Sequence, residues 1–205
     1  LIYDVSTRHP VTEPYPCRVP WGSSTGRARA RFRPIFMFMN LLHPLSPNAA
    51  RGGVTEARVA AAEILAELRR GVLLDAAFDR GVAALDARDR RWTQELVFGM
   101  LRRRGWLDVL LNARVRGGLA RLDPDLTDLL RLGVHQLLHM GSVPAYAAIA
   151  QSVELAKERH GMGASKLSNA VLRRIDRERN DLQVELPSDP VEALAAVHSH
   201  PRWLV

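Results

Sequence analysis

The sequence predicts an all-α bundle of seven to eight helices, and three observations support this prediction. From about residue 55 onward the chain is rich in Ala, Leu, Arg and Glu, which favour helices. Few of its β-branched residues occur in runs, so no parallel sheet is expected. Apolar residues recur three and four positions apart, which is the spacing of one helix face. With 205 residues, 47% of them hydrophobic, the chain can bury a core.

Residues 1–50 differ in composition from the rest and are predicted to form a poorly ordered head. They contain seven of the twelve prolines and an alternating run of arginines, with no sustained helical period. The apolar residues 35–42 are far fewer than the roughly 20 that a membrane helix needs, so no membrane partner is predicted. A helical body is expected over residues 54–180.

The helices that precede residue 123 show apolar faces and start signals. Thr55 is expected to cap the first helix, and a short second helix contains Leu74 and Phe78. Asp89 is expected to open a third helix that ends in a run of arginines, and further helical turns follow over residues 106–111.

Residues 123–140 form the strongest helical pattern, and we expect this helix at the centre of the fold. Asp123 can cap its first turn, and Pro124 occupies the first helical position, where a missing N–H costs nothing. Gly133 lies on the apolar stripe, where glycine costs roughly 1 kcal/mol relative to alanine. We therefore predict that the backbone of a crossing helix approaches closely at Gly133.

Three more helices are predicted after the central one. Pro144 marks the start of the first, residues 161–163 end it with two glycines, and residues 164–177 carry the apolar spacing of the next. Asp189 and Pro190 are a cap and first-position pair that opens the last helix.

Positive charge is concentrated in the first part of the chain. The formal net charge is +7; residues 1–50 contain six basic and two acidic residues, residues 51–121 fourteen and nine, and residues 122–205 nine and eleven. Such an asymmetry favours a polyanionic partner, with nucleic acid the leading case.

Metal and nucleophile chemistry find little support in the sequence. Cys17 is the only cysteine, which excludes an internal disulfide and a zinc site built from several thiolates, and it suits a reducing cytoplasm. His135 and His139 are one helical turn apart, but no third ligand and no glutamate of the HExxH pattern accompany them. No metal, cofactor or catalytic residue is therefore predicted.

Several separated segments resemble the NusB-like domain, in the same order along the chain. They are ELVFGMLR at residues 95–102, LLRLG at 129–133, VPAYAA at 143–148, VELAK at 153–157 and NAVLRR at 169–174. More narrowly, residues 55–205 are similar to the N-terminal RNA-binding domain of bacterial rRNA cytosine-C5 methyltransferases of the RsmB (Sun, Fmu) type. This resemblance implies that residues 181–205 begin a linker toward a methyltransferase domain. The family's Asn-Glu pair is Ala150 and Gln151 in this sequence.

The resemblance implies a NusB-like helical bundle that binds RNA, specifically rRNA, in the cytoplasm. Methyl transfer in that family uses a separate domain with a glycine-rich loop for S-adenosylmethionine and two cysteines. Residues 161–163 lie between helices rather than after a strand, and Cys17 lies outside the matched region. This chain alone is therefore expected to be non-catalytic.

Two alternatives remain open. A free-standing NusB-type factor would act in transcription antitermination, as a regulator of DNA-templated transcription with a ribosomal protein as partner. A protein-docking helical bundle would touch no nucleic acid. The arginines at residues 102–104 and the ending HPRWLV favour the methyltransferase version.

Seven arginines at helix ends or off the apolar faces are predicted to contact RNA: Arg51, Arg58, Arg102, Arg103, Arg104, Arg173 and Arg174. Arginine binds phosphate oxygens through a planar fork of N–H donors. The alternative explanation for the run at 102–104 is that cations stabilise the C-terminus of a helix through its dipole.

Overall fold

The computed structural model describes residues 29–32 and 53–205 and confirms an all-α bundle. Its α-helices in these ranges are α1 Glu56–Arg69, α2 Leu74–Gly81, α3 Ala87–Arg102, α4 Arg104–Asn112, α5 Pro124–His139, α6 Ala145–Glu178 and α7 Pro190–His198. The short strands are β1 Arg29–Phe32 and β2 Leu182–Glu185, and 3-10 turns lie at Leu119–Arg121 and Arg202–Leu204. Within the described ranges, no helix combines the length and the apolar character needed to cross a membrane.

Helix α5 lies at the centre of the bundle, as predicted. Every residue over 126–137 is buried, so neighbouring helices cover all sides of this helix. Helices α1, α3, α4 and α6 pack against it. The Asp123 carboxylate accepts a hydrogen bond of 2.8 Å from the backbone N–H of Asp125, and Pro124 occupies the first helical position. The predicted start of this helix is therefore confirmed.

Helix α6 consists of two arms, residues 145–160 and residues 162–178. The arms fold back on each other at Gly161, whose φ is 79°. A Cβ on Gly133 would lie 3.0 Å from Ser152 Oγ of the first arm and 3.0 Å from Leu172 Cδ1 of the second. Because these two residues meet one point of α5 from opposite sides of Gly161, the chain must reverse between them. The break predicted at residues 161–163 is confirmed. The backbone approach predicted at Gly133 is wrong, because the glycine makes room for side chains.

The sequence does not predict the small antiparallel sheet formed by β1 and β2. Phe32 lies opposite Leu182 and Arg29 opposite Glu185. Leu182 and Val184 are buried, while the residues that alternate with them in β2 are exposed. Four residues of the predicted head therefore pair with the body, and the rest of residues 1–50 lies outside the described ranges.

Residues 181–205, predicted to begin a linker, contain the strand β2 and the helix α7. Helix α7 packs against α4. It begins as predicted, because the Asp189 carboxylate accepts a hydrogen bond of 3.0 Å from the backbone N–H of Val191. That these residues lead toward another domain stays a prediction.

The start of α3 and the side-chain cap of α1 differ from the sequence prediction. Helix α3 begins after Asp86 rather than at Asp89, because the Asp86 carboxylate accepts hydrogen bonds from the backbone N–H groups of Arg88 (2.9 Å) and Asp89 (2.7 Å). Thr55 stands at the cap position of α1, but its hydroxyl accepts a hydrogen bond of 2.9 Å from the Arg58 guanidinium. The hydroxyl therefore supports a side chain and not the helix backbone.

Arg58 is buried, which contradicts its prediction as a surface residue that contacts RNA. It is 8% exposed, donates to Gln136 Oε1 at 2.8 Å and to Gln151 Oε1 at 3.0 Å, and lies 4.7 Å from the centre of the Trp92 ring. No carboxylate of the described residues accepts a hydrogen bond from it. Burial lowers the pKa of Arg58 to about 10 against the opposing effect of Asp89. Arg58 thus joins α1 to α5 and α6.

Other arginines in α5 or at its contacts with neighbouring helices are paired with carboxylates. Arg131 forms ion pairs of 2.6 Å with Asp108 of α4 and of 2.6 Å with Asp128 of its own helix. Asp125 at the start of α5 is the acceptor for three side chains of α1 and α6: Arg69, Arg159 and His160. These pairs neutralise positive charge between the helices.

Helix α3 approaches α5 at Gly99. A Cβ on Gly99 would lie 2.5 Å from His135 Nε2, so glycine leaves the space that the imidazole occupies. His135 is 2% exposed, and its Nδ1 has no hydrogen-bond partner among the described residues. Burial, followed by the charges of His139, Arg103 and Arg102, lowers the pKa of His135 to about 3. The side chain is therefore neutral at physiological pH.

The variant Gln151→Glu should be more stable than the wild type, because it places a carboxylate against buried Arg58 with little change in side-chain size. The Arg58 donor is already charged, so the variant converts an ion–dipole contact into a half-buried ion pair. Exposed ion pairs contribute up to about 1 kcal/mol, and we expect a gain of about 1 kcal/mol in the free energy of unfolding at pH 7. The gain is present above the usual glutamate pKa of about 4 and is lost at lower pH. Urea denaturation of both proteins, at pH 7 and at a pH below about 4, measures this gain and its loss.

The matched control is Gln151→Ala. It removes an acceptor from the Arg58 guanidinium and from the Thr55 N–H, so it should lose about 1–2 kcal/mol. A Gln151→Glu protein that is less stable than wild type at pH 7 would contradict this role of Arg58.

Stability should fall as the pH is lowered from 7 to 5, because below about pH 6.5 the unfolded chain protonates His135 and the folded chain does not. With a folded-state pKa of about 3, linkage gives a loss of up to about 2 kcal/mol at pH 5. The variant His135→Leu lacks this contribution and should lose correspondingly less. Urea titrations of both proteins test this, and identical pH dependence would show that folded His135 titrates normally.

Candidate nucleic-acid interface

The arginine cluster, defined as Arg102, Arg103 and Arg104, occupies the junction of α3 and α4. Helix α3 ends at Arg102, Arg103 lies between the helices, and Arg104 begins α4. Arg102 and Arg104 are exposed and have no hydrogen bond or ion pair with any described residue. Half-buried Arg103 makes one long hydrogen bond of 3.5 Å to the Gly99 carbonyl oxygen. Two of the three guanidinium groups are therefore free to bind an anion.

The helix dipole alone does not account for this cluster. The C-terminus of α3 favours positive charge, but the N-terminus of α4 starts two residues later and disfavours it. The two partial charges are opposite and nearly coincide, so they largely cancel. Positive charge at this junction is therefore not explained as stabilisation of α3.

The C-terminal part of the chain borders the cluster, which the sequence does not predict. A Cβ on Gly105 would lie 2.9 Å from the carbonyl oxygen of Ala196 and 3.1 Å from Ser199 Cα, so α7 packs directly on the start of α4. The Trp106 N–H donates to Ser199 Oγ at 3.3 Å. The signal in the sequence is Gly105, the one position in this turn without a side chain.

The remaining predicted RNA-contacting arginines have different surroundings. Arg51 lies outside the described residues, and Arg58 is buried. Arg173 and Arg174 are exposed on the second arm of α6, where Arg173 donates to Asn169 Oδ1 at 2.8 Å and Arg174 pairs with Glu178 at 2.8 Å. No described contact joins these two residues to the arginine cluster.

The described residues contain no candidate metal centre. No group of three or more metal-ligating side chains occurs among them, and the rings of His135 and His139 are 5.2 Å apart. A groove of about 890 Å³ runs beside β2 and the ends of α4 and α6. Arg114 lines it and is engaged by Glu178 at 2.8 Å and by two carbonyl oxygens. No histidine or cysteine lines this groove.

Comparison with known proteins agrees with the helical architecture. The sequence profile of the NusB family matches residues 55–177, from the cap of α1 to the second arm of α6. Among solved structures, T. maritima NusB has a TM-score of 0.55 at 23% identity, over 62% of this chain and 94% of that chain. At this identity the likeness concerns the fold.

Curated relatives include methyltransferases. The chain is 36% identical to the probable ribosomal RNA small subunit methyltransferase B of Synechocystis sp. over 67% of this chain and 31% of that protein. It is 37% identical to the ribosomal RNA small subunit methyltransferase B of Pseudomonas putida, over 72% and 33%. A putative methyltransferase of Mycobacterium tuberculosis is 36% identical over 78% and 35%.

The chain spans about a third of the length of these relatives. The matched part corresponds to a NusB domain and not to their catalytic part. The family profile covers more than half of this chain, including the central helix and both arms of α6. The resemblance seen in the sequence is thereby confirmed, and the chain belongs to the NusB family.

Proposed function

We propose that this chain is an RNA-binding module that recognises the substrate of an rRNA cytosine-C5 methyltransferase. The observation that carries the proposal is the arginine cluster, in which exposed Arg102 and Arg104 lack any partner among the described residues. A guanidinium group binds phosphate oxygens through two parallel N–H donors. Free arginines at one corner of the bundle therefore suit a phosphodiester backbone.

The contrast with the interior arginines supports this reading. Arg58, Arg114 and Arg131 are all buried and direct their donors to side chains or carbonyl oxygens of the fold. Their positive charge serves to hold helices together. The arginine cluster makes almost no such contacts, so its three consecutive cations do not hold helices together within the described fold.

The relatives favour rRNA as the ligand. Two of the curated relatives, which match 67% and 72% of this chain, carry the name ribosomal RNA small subunit methyltransferase B. The likeness to T. maritima NusB concerns the fold, so transcription antitermination and a ribosomal protein partner stay predictions. An rRNA ligand would place the function in the cytoplasm.

The chain is proposed to act by binding and not by chemistry. Gly161 lies at a reversal between two helical arms, which supports the interpretation that residues 161–163 are not a nucleotide-binding loop. The module would hold rRNA in position for a methyltransferase domain that supplies the cofactor and the nucleophile.

The triple substitution Arg102→Ala, Arg103→Ala and Arg104→Ala should weaken binding to all RNA sequences alike. Each lost phosphate contact removes about 0.7 units from the slope of log affinity against log salt for single strands, so the slope should flatten by roughly one to two units. A fluorescence-anisotropy titration of the full chain with labelled single-stranded RNA, repeated over a range of salt concentrations, measures both quantities.

The matched control is the triple substitution Arg88→Ala, Arg90→Ala and Arg91→Ala. These three arginines are also exposed and lie at the other end of α3. The control variant removes the same net charge, so it separates a local contact from a general loss of attraction. Equal effects of the two triple variants, or no effect of either, would remove the arginine cluster from the binding site.

A further inference from the structure

The second arm of α6 carries a row of positive charge. Lys166, Ala170, Arg173 and Arg177 are all exposed. Successive members are four, three and four residues apart, which places them on one face of a helix. At a rise of 1.5 Å per residue, the row extends over about 16 Å. We call its cations Lys166, Arg173 and Arg177 the α6 stripe.

The α6 stripe faces away from the bundle. The opposite face of the same arm is buried against the core and consists of Ala164, Ser165, Ser168, Val171, Leu172 and Ile175. Leu172 packs at Gly133 of the central helix. The position of the stripe is therefore set by the packing of this arm on α5.

The acidic residues of this arm lie off the stripe and are already paired. Asp176 pairs with Arg179 at 3.4 Å. Glu178 pairs with Arg174 at 2.8 Å and with Arg114 at 2.6 Å. The flanking arginines therefore use the carboxylates that could otherwise neutralise the stripe.

The stripe itself has no carboxylate partner in the described part of the chain. Lys166 and Arg177 form neither a hydrogen bond nor an ion pair there. Arg173 donates only to the neutral side chain of Asn169. A solvated helix surface typically alternates charge signs and gains from pairs three or four residues apart. The stripe instead concentrates charge of one sign.

We propose that the α6 stripe is a second contact surface for the RNA backbone, an inference that rests on the proposed RNA-binding function. Cations in a row along one helix face suit the successive phosphates of one strand. The small side chain of Ala170 leaves space for the strand between Lys166 and Arg173. No aromatic residue lies on this row, so bases have no surface to stack on. The contact is therefore with phosphates and independent of sequence.

The test is the triple variant Lys166→Ala, Arg173→Ala and Arg177→Ala of the full chain, titrated with fluorescein-labelled single-stranded RNA of mixed sequence. We expect a severalfold increase in Kd at low salt and a salt slope that is flatter by about one to two units. Because the three side chains are exposed, the melting temperature should be unchanged. The charge-conserving variant Lys166→Arg, Arg173→Lys and Arg177→Lys should retain the wild-type slope.

The variant of Arg88, Arg90 and Arg91 again controls for net charge. One outcome would overturn only the proposal for the α6 stripe. In that outcome RNA binding depends on the arginine cluster, but the triple variant of the α6 stripe binds RNA like the control variant, and the proposed function stays intact. A wild-type chain that binds no RNA would overturn the proposed function and the stripe with it.

Discussion

The close approach of both arms of α6 to Gly133 is the packing constraint on which the rest of the fold depends. Ser152 and Leu172 would each lie 3.0 Å from a Cβ at this position. Any larger side chain would push both arms away from α5, and overpacking of this kind costs typically about 1–3 kcal/mol. Because the chain reverses at Gly161, both arms of α6 pack against α5.

The burial of residues 126–137 of α5 also separates the arginines into two groups. A helix covered on all sides brings neighbouring arginines into the interior, where a charged group needs hydrogen-bond partners. Arg131 finds Asp108 and Asp128, and Arg58 finds Gln136 and Gln151. Cations without partners stand on the outside, among them Arg102 and Arg104 at the α3–α4 junction and Lys166 and Arg177 on the second arm of α6. These exposed, unpaired charges lie where a ligand can reach them.

Features set by local sequence could be predicted, and features set by distant contacts could not. The start of α5 at Asp123 and the break near Gly161 depend on neighbouring residues, and both are correct. The β1–β2 sheet joins segments about 150 residues apart, and each strand has only four residues. Arg58 lies off the apolar stripe of α1, and only the packing of α3, α5 and α6 around it shows that it is buried.

The candidate site follows the same rule. A run of three arginines is visible in sequence, whereas the lack of partners at Arg102 and Arg104 depends on where every carboxylate lies. The row that contains Lys166 and Arg177 has a regular spacing, but its significance depends on Asp176 and Glu178 being paired elsewhere. Charge counting alone does not distinguish a paired arginine from a free one.

The division of the arginines into an interior and an exposed group can be tested directly by NMR. The arginine Nε–H signals are followed while single-stranded RNA is added to the full chain. The signals of Arg102, Arg104 and Arg177 should shift or broaden as phosphates bind. Those of Arg58 and Arg131 should stay in place, because their donors are engaged inside the fold. RNA binding that shifts the interior signals and leaves the exposed ones unchanged would contradict this division of the arginines.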